Sequence, residues 1–240
     1  MVALSDLITG KSGFEIIDKQ TFTMSGTWTK PAGALDADTV VAYIIGGGAS
    51  GDGTGGGIGG GGGEGVISAI PVSTLLASET VVVGAGGVNL GSSQGYQGQG
   101  GGDSSFSDYF AEGGNINANW ALGGGFGGGV DRRDSSYGIF VPPDRFGGGA
   151  GGNPQGFLTG VGQAAYFGGA GGGSESNKAG GKSHFAGDGG AGSTSSAENG
   201  QIPGGGGGAK FQAPGDGARG EVRVYVVRGT IPSLEAVVTQ

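Results

Sequence analysis

Apolar positions gather in a few short runs, and those runs lie towards the two ends of the chain. In residues 1–19 the spacing of Leu4, Leu7 and Ile8 suits one helical turn, and Phe14, Ile16 and Ile17 suit a short strand. Residues 20–30, QTFTMSGTWTK, set Phe22, Met24 and Trp28 among threonines and stop at Pro31-Ala32-Gly33, as strands commonly stop. Residues 39–45, TVVAYII, have the composition of a buried strand, and together with 20–30 they predict a hairpin-like pair. Shorter apolar runs at 66–72 and 80–83 predict two further strands. The last, 221–227, reads EVRVYVV, with Val222, Val224 and Val226 on one face and Arg223 and Tyr225 on the other.

Between residues 84 and 220 only short apolar pieces remain, and glycine takes over. Of 240 residues 65 are glycine, against a usual share near 7%. Glycine tracts recur at 46–48, 55–65, 84–87, 100–102, 123–129, 147–152, 168–173, 187–192 and 204–208, without a fixed period. Insertions at 115–122, 130–146, 153–167 and 174–186 carry the aromatic and charged residues. As flexible linkers the tracts would leave those aromatics with nothing to pack on. As polyproline-II-like strands, with three residues per turn, they can hydrogen-bond one another side by side, and glycine permits the closest approach. That packing must offset about 1–2 kcal/mol of backbone entropy per ordered residue. Phe110, Trp120, Phe126, Phe146, Phe157 and Phe167 stand where they can cap such an assembly.

Composition narrows the function. Hydrophobic residues make up 35% of the chain, too few for the core of a conventional enzyme scaffold, while 13% charged residues is low for a self-repelling disordered chain. The chain has no cysteine and one histidine, which excludes disulfides, thiolate metal sites and a histidine cluster. Net charge is −8, and residues 1–120 hold 3 basic against 11 acidic side chains, so the basic stripe of a nucleic-acid binder is missing. MVALSDLITGK is not read as a signal peptide, and no apolar run is long enough to span a membrane.

Short motifs carry little weight here. At this glycine content about five G-x-G-x-x-G matches arise by chance. The Gly-Lys-Ser triplets at 10–12 and 181–183 lack the upstream glycine of a phosphate loop, Ser5 and Ser176 standing in its place. His184 beside Ser183 and Asp188, and the pairs Asp36/Asp38 and Asp131/Asp134, read as loop and turn residues rather than catalytic groups. What stands out is 131–146, DRRDSSYGIFVPPDRF, in which Arg132, Arg133, Tyr137, Phe140 and Arg145 are the residue types of binding hot spots. The alternative is a loop that packs its aromatics on the scaffold and pairs its own charges; both readings stay open. Phe157 and Tyr166 extend the same type of surface.

In order along the chain, QTFTMSGTWTKPAG, VVAYIIGGGASGDG, IPVSTLLASETVVVGAGG, GGDSSFSDYFAEGG and GDGARGEVRVYVV resemble the glycine-rich domain at the ends of bacteriophage tail fibres. Tract architecture is also similar to T-even-type tail-fibre adhesins, whose glycine tracts form a polyglycine sandwich and whose loops touch the host receptor. The expected fold is mainly β with glycine-rich polyproline-II-like (polyglycine II) strands and little or no α-helix. Residues 1–19 are expected to be an attachment segment, with Leu4, Leu7, Ile8, Phe14, Ile16 and Ile17 as its contacts, 20–228 the glycine-rich domain, and 229–240 a tail. The resemblance implies a non-enzymatic, receptor-binding tip of the virion tail or tail fibre, without cofactor or metal. Its implied partners are a host outer-membrane protein, lipopolysaccharide or surface glycan and other phage tail or fibre subunits, with a homotrimer as one candidate assembly. A purely structural or ice-binding glycine-rich protein is the alternative, and the irregular tracts speak against a flat ice-binding face.

Overall fold

TVVAYII lies at the centre of the architecture. In the computed structural model, which describes residues 15–53, 57–91, 98–116, 147–149, 151–152, 160–175 and 177–229, this segment is strand β3 (Thr39–Ile45). It is flanked by β4 (Gly65–Pro71) and β8 (Glu221–Arg228), and β8 pairs in turn with β1 (Glu15–Phe22). A second antiparallel sheet orders β2 (Gly26–Thr29), β5 (Ser78–Val82), β6 (Ser104–Phe106) and β7 (Tyr109–Ala111) side by side. The described residues contain no α-helix; a single 3-10 turn, Val72–Thr74, links β4 to β5. The Lys30 ammonium holds that turn by donating to the carbonyls of Val72 and Leu75, at 3.0 and 2.9 Å.

The expected hairpin of 20–30 with 39–45 does not form. Residues 20–30 break at Thr23-Met24-Ser25, so that β1 joins one sheet and β2 the other. β1 pairs instead with β8, two hundred residues away in sequence, Glu15 opposite Arg228 and Phe22 opposite Val222. The physical reason is burial: β8 is apolar enough to sit between two neighbours, and β1, with Glu15, Asp18, Lys19 and Gln20, suits an edge.

Two apolar clusters explain the strand compositions. Between the sheets, Trp28, Val40, Ala42, Ile44, Ile70, Val81, Phe106, Val222, Val224 and Val226 interdigitate, with Trp28 and Phe106 edge to face at 5.6 Å. On the opposite face of the first sheet, Val41, Tyr43, Ile45, Tyr225 and Val227 are covered by Phe167 and Phe185 from the glycine-rich part. β3 is therefore buried on both faces, which is why it reads as an unbroken apolar run instead of an alternating one. Tyr43 donates its hydroxyl hydrogen to the Phe167 carbonyl, tying this face to the glycine-rich part. Burial raises the pKa of that phenol and of Tyr225.

Beyond the sheets the strands continue as glycine tracts with a new period. Along 46–52, the amides of Gly46, Ala49 and Asp52 donate to Glu64, Gly61 and Ile58; Gly47 and Ser50 donate to Gly102 and Gln99; Gly48 and Gly51 donate to Ala218 and Gly215. Every third amide thus meets the same neighbour, the signature of a strand with three residues per turn. The tract 57–64 sends its own three amide rows to 149–152, 204–207 and 112–115, and accepts from 46–52 and 169–175. Antiparallel and parallel neighbours coexist, as Ala170 on Gly187 and Gly173 on Gly190 show for the parallel kind. Glycine is demanded by proximity. A Cβ on Gly62 would fall on the Gly169 carbonyl oxygen, and one on Gly169 would fall on that of Gly204.

Candidate binding site at the open end of the glycine array

The hydrogen-bond registers fix which way each tract runs. Tracts 46–53, 84–91 and 112–116 leave β3, β5 and β7 and run away from the sheets, while 57–64, 98–103 and 215–220 run back into β4, β6 and β8. Tracts 169–175, 187–192 and 204–209 also run outwards, between returning tracts 160–165, 178–183 and 198–201. The described turns therefore fall into two groups. Turns at 166–168, 183–186 and 201–203, and the end at 147, lie beside the first sheet. The ends at 53 and 57, 91 and 98, 116, 152 and 160, 175 and 177, 193–197 and 209–215 all lie at the opposite, open end.

Chain reversal at the open end uses left-handed backbone. Gly57, Gly91, Gly160, Asn177 and Gln212 have φ of 49°, 67°, 68°, 55° and 62°. Four of these five are glycine or asparagine, the residues that tolerate this region best. Side chains then hold the turns. Ser193 Oγ accepts from the amides of Ser195 and Ser196 at 3.0 and 3.1 Å, and Asn177 Oδ1 accepts from the Thr194 amide at 3.1 Å. Asp216 Oδ1 accepts from the Asn89 amide and Asn199 Oδ1 from the Asp216 amide, both at 2.9 Å. Gln212 donates its backbone amide to the Gly53 carbonyl, and Phe211 beside it is 55% exposed at the tip. The open end is thus a pinned surface of hydroxyls, amides and isolated apolar side chains.

Carboxylates along the rim follow the same logic. An ionised carboxylate is acceptor-only, and outward amides without a neighbouring tract need acceptors. Asp103 takes the Gly113 amide and Asp188 that of Ser183, while inside the array buried Glu64 takes that of Glu112. At the base, both oxygens of buried Asp38 accept from Arg228, each at 2.9 Å, and the Leu35 amide donates to the same carboxylate. These hydrogen bonds, that of Arg228 foremost, hold Asp38 below the ordinary carboxylate pKa. His184 stacks on Tyr166, Ser183 Oγ donates to the Gly168 carbonyl, and Asp188 pairs with Lys182 at 2.7 Å, so Ser183 meets Asp188 through its backbone amide and its hydroxyl is engaged elsewhere.

Of the sequence-predicted contacts, Arg132, Arg133, Tyr137, Phe140, Arg145 and Phe157 lie outside the described residues. The chain leaves for the segment holding the first five at 116, on the open end, and returns from it at 147, beside the first sheet; it leaves and returns around Phe157 at 152 and 160, on the open end. Tyr166 is elsewhere. It sits at the sheet end, 40% exposed, edge to face with Phe167 and Phe185 at 4.9 and 5.3 Å. Of the leader, Leu4, Leu7, Ile8 and Phe14 lie outside the described residues, whereas Ile16 and Ile17 belong to β1 around an irregularity in its register with β8. Ile16 packs on the outer cluster and Ile17 on the inter-sheet core. Sequence reading passed over the turns at 193–197 and 209–215; the Ser and Thr content of the first is the available signal, because these side chains bond locally to turn backbone.

No curated protein matches this chain. The family model of the glycine-rich domain matches residues 19–227, from within β1 to within β8, which takes in both sheets and every described tract. With that span covered, the chain belongs to the glycine-rich domain family.

Proposed function

We propose that this protein is a receptor-binding tip of a phage tail or tail fibre, whose open end engages a protein or glycan on the host surface. The observation that carries the reading is polarity. Glu15 and Arg228 face each other at the far end of the first sheet, while one of the two groups of tract turns gathers at the other end of the molecule, beyond the array. An adhesin needs this division, attachment at one end and contact at the other. The array between them is a stiff spacer with few side chains of its own. Discrimination then falls to the turns, which alone combine exposure with chemical variety. Resemblance of the strand segments to tail-fibre domains supports the same reading and supplies the virion context.

Labelled full-length protein, incubated with a panel of bacteria, is expected to bind one host saturably and to block attachment of a phage that uses the same receptor. Alanine at Arg132, Tyr137 or Phe140 is expected to cost about 1–2 kcal/mol of affinity each with the melting temperature unchanged. Absence of saturable binding across the panel argues against the adhesin. Normal binding by all three variants moves the contact to the pinned turns, where Phe211→Ala becomes the test.

A further inference from the structure

Four of the chain ends and turns at the open end are joined into one continuous surface by hydrogen bonds. The Glu175 amide donates to the Gly57 carbonyl, the Ser193 amide to that of Ala209 and the Gln212 amide to that of Gly53, while Asn177 Oδ1 accepts from the Thr194 amide. On this surface Asn177, Thr194, Ser195, Ser196, Phe211 and Gln212 are exposed. The backbone beneath them is held in place: Ser193 Oγ accepts from two amides, and Asn177 and Gln212 take the left-handed conformation that reverses the chain. Among the described residues Asn177 Nδ2 and Ser196 Oγ make no hydrogen bond, which leaves their donors to a ligand.

Charge narrows the class of ligand. Across 53–57, 175–178, 193–198 and 209–213 the charged residues are Glu175, Lys178, Glu198 and Lys210, two of each sign. These segments hold no arginine, tryptophan or tyrosine. The arginines among the described residues are at the sheets, where Arg219 and Arg223 engage Glu221 and Arg228 engages Asp38. A phosphate or carboxylate ligand would find no guanidinium fork here, and the anchors that dominate protein interfaces are missing. What remains is a group of hydroxyls and carboxamides, each able to donate and to accept, around Phe211, the one aromatic ring at this end among the described residues. A sugar matches that group: its hydroxyls donate and accept in turn, and the C–H groups of one ring face stack on an aromatic face, which carries partial negative charge. We infer, on the reading that the open end meets the host, that this four-part surface is a subsite for a neutral glycan, with Phe211 stacking on a sugar ring and Asn177, Thr194 and Ser196 bonding its hydroxyls. A sugar exchanges bonds to water for bonds to protein at little gain per bond, so it is held best by groups whose geometry is set before binding, as these turns are.

Labelled full chain on an array of immobilised bacterial polysaccharides, some neutral and some bearing uronate or phosphate, tests this. Saturable binding is expected on neutral polysaccharides, changing less than about twofold between roughly 50 and 500 mM salt because no ion pair is screened. Phe211→Ala is expected to weaken it about tenfold or more. Asn177→Asp, which keeps the acceptor that holds Thr194 and removes the donor, is expected to weaken it as well, and both variants are expected to melt at the wild-type temperature. Should either lose its fold, Ser196→Ala takes its place. No binding on the array, binding to acidic polysaccharides only, or neutral binding indifferent to Phe211→Ala overturns the inference. On host cells, periodate oxidation of sugar diols is expected to abolish binding and protease treatment to spare it. The reverse pattern overturns the glycan subsite and leaves the adhesin standing, whereas binding on the array without binding to any cell does the opposite.

Discussion

The two halves of this molecule cohere by different means although the same strands run through both. In the sandwich, β3 has two bonded neighbours and two packed faces, and its stability comes from apolar side chains withdrawn from water, at about 25 cal/mol per Å². Past Ile45 the side chains all but vanish, and the period changes from two to three. Amides that alternated between two sides now point in three directions, so 57–64 is bonded to five tracts instead of two. Backbone hydrogen bonds, each worth about 0.5–1.5 kcal/mol net, replace hydrophobic burial as the main cohesion. Glycine is therefore structural here in the sense that leucine is structural in a core: what it supplies is the space for another backbone.

The largest expected effect breaks the array and spares the sandwich. Gly62→Ala places a methyl on the Gly169 carbonyl, and because that atom belongs to a backbone hydrogen-bonded on several sides, relief requires whole tracts to part. A loss of about 4 kcal/mol or more is expected, with amide protection falling across 46–64 and 169–175 in hydrogen exchange while β1 and β8 keep theirs. Ala164→Ser on the rim, by contrast, should stay within about 0.5 kcal/mol of wild type.

Trp28→Ala is the converse experiment. Removing the largest buried side chain between the sheets, and its contact with Phe106, is expected to cost about 3–5 kcal/mol. The melting temperature falls, and if the halves are separately supported, slow exchange persists longest in 57–64 and 204–209. Simultaneous loss of protection everywhere would show that the two halves fold as one unit.

Tyr43→Phe tests the joint between them. It deletes one hydroxyl and leaves the Phe167 carbonyl without that donor, for an expected cost of about 1–3 kcal/mol. Faster exchange should be confined to 165–170 and 183–187. The smallest effect lies at the base and depends on pH. Asp38 is held below its unfolded pKa, near 3.9, by Arg228, so its contribution is fully present above that value and is lost as pH falls through the lower folded value. The melting-temperature difference between wild type and Asp38→Asn should be constant near neutrality and shrink in acid.

Local composition identified the strands that are buried and left dark those that are not. TVVAYII and EVRVYVV were legible because β3 and β8 are covered on both faces or alternate cleanly. SSF and YFA were not predicted as strands from their pattern and entered only within GGDSSFSDYFAEGG, the segment quoted for the resemblance: three residues each, one of them with exposed Phe110 at its middle, offer too little periodicity. The partner of β1 lay beyond any local signal, since a pairing between residues 15 and 228 depends on what else competes for β8. Tracts at 160–165, 178–183, 198–201 and 215–220 were missed for a different reason. On the rim only inward positions need glycine, so GVGQAA and KAGGKS dilute the run that gives an interior tract away. For the candidate site, the reading that turns carry the contacts rested on composition, but Tyr166 shows its limit: an aromatic in an insertion can turn towards the sheet and join Phe167, His184 and Phe185.

The three-residue recurrence also sets an arithmetic for change. Adding one residue inside 57–64 would rotate every later amide by a third of a turn and present each to the wrong neighbour, so the tract can grow or shrink without misalignment only in triplets. At the turns of the open end no such count applies, because the phase is reset before the chain re-enters. Length variation is thus confined by geometry to the one surface where it alters what the protein can touch, and a family built on this plan can diversify its contacts freely while its interior is held to multiples of three.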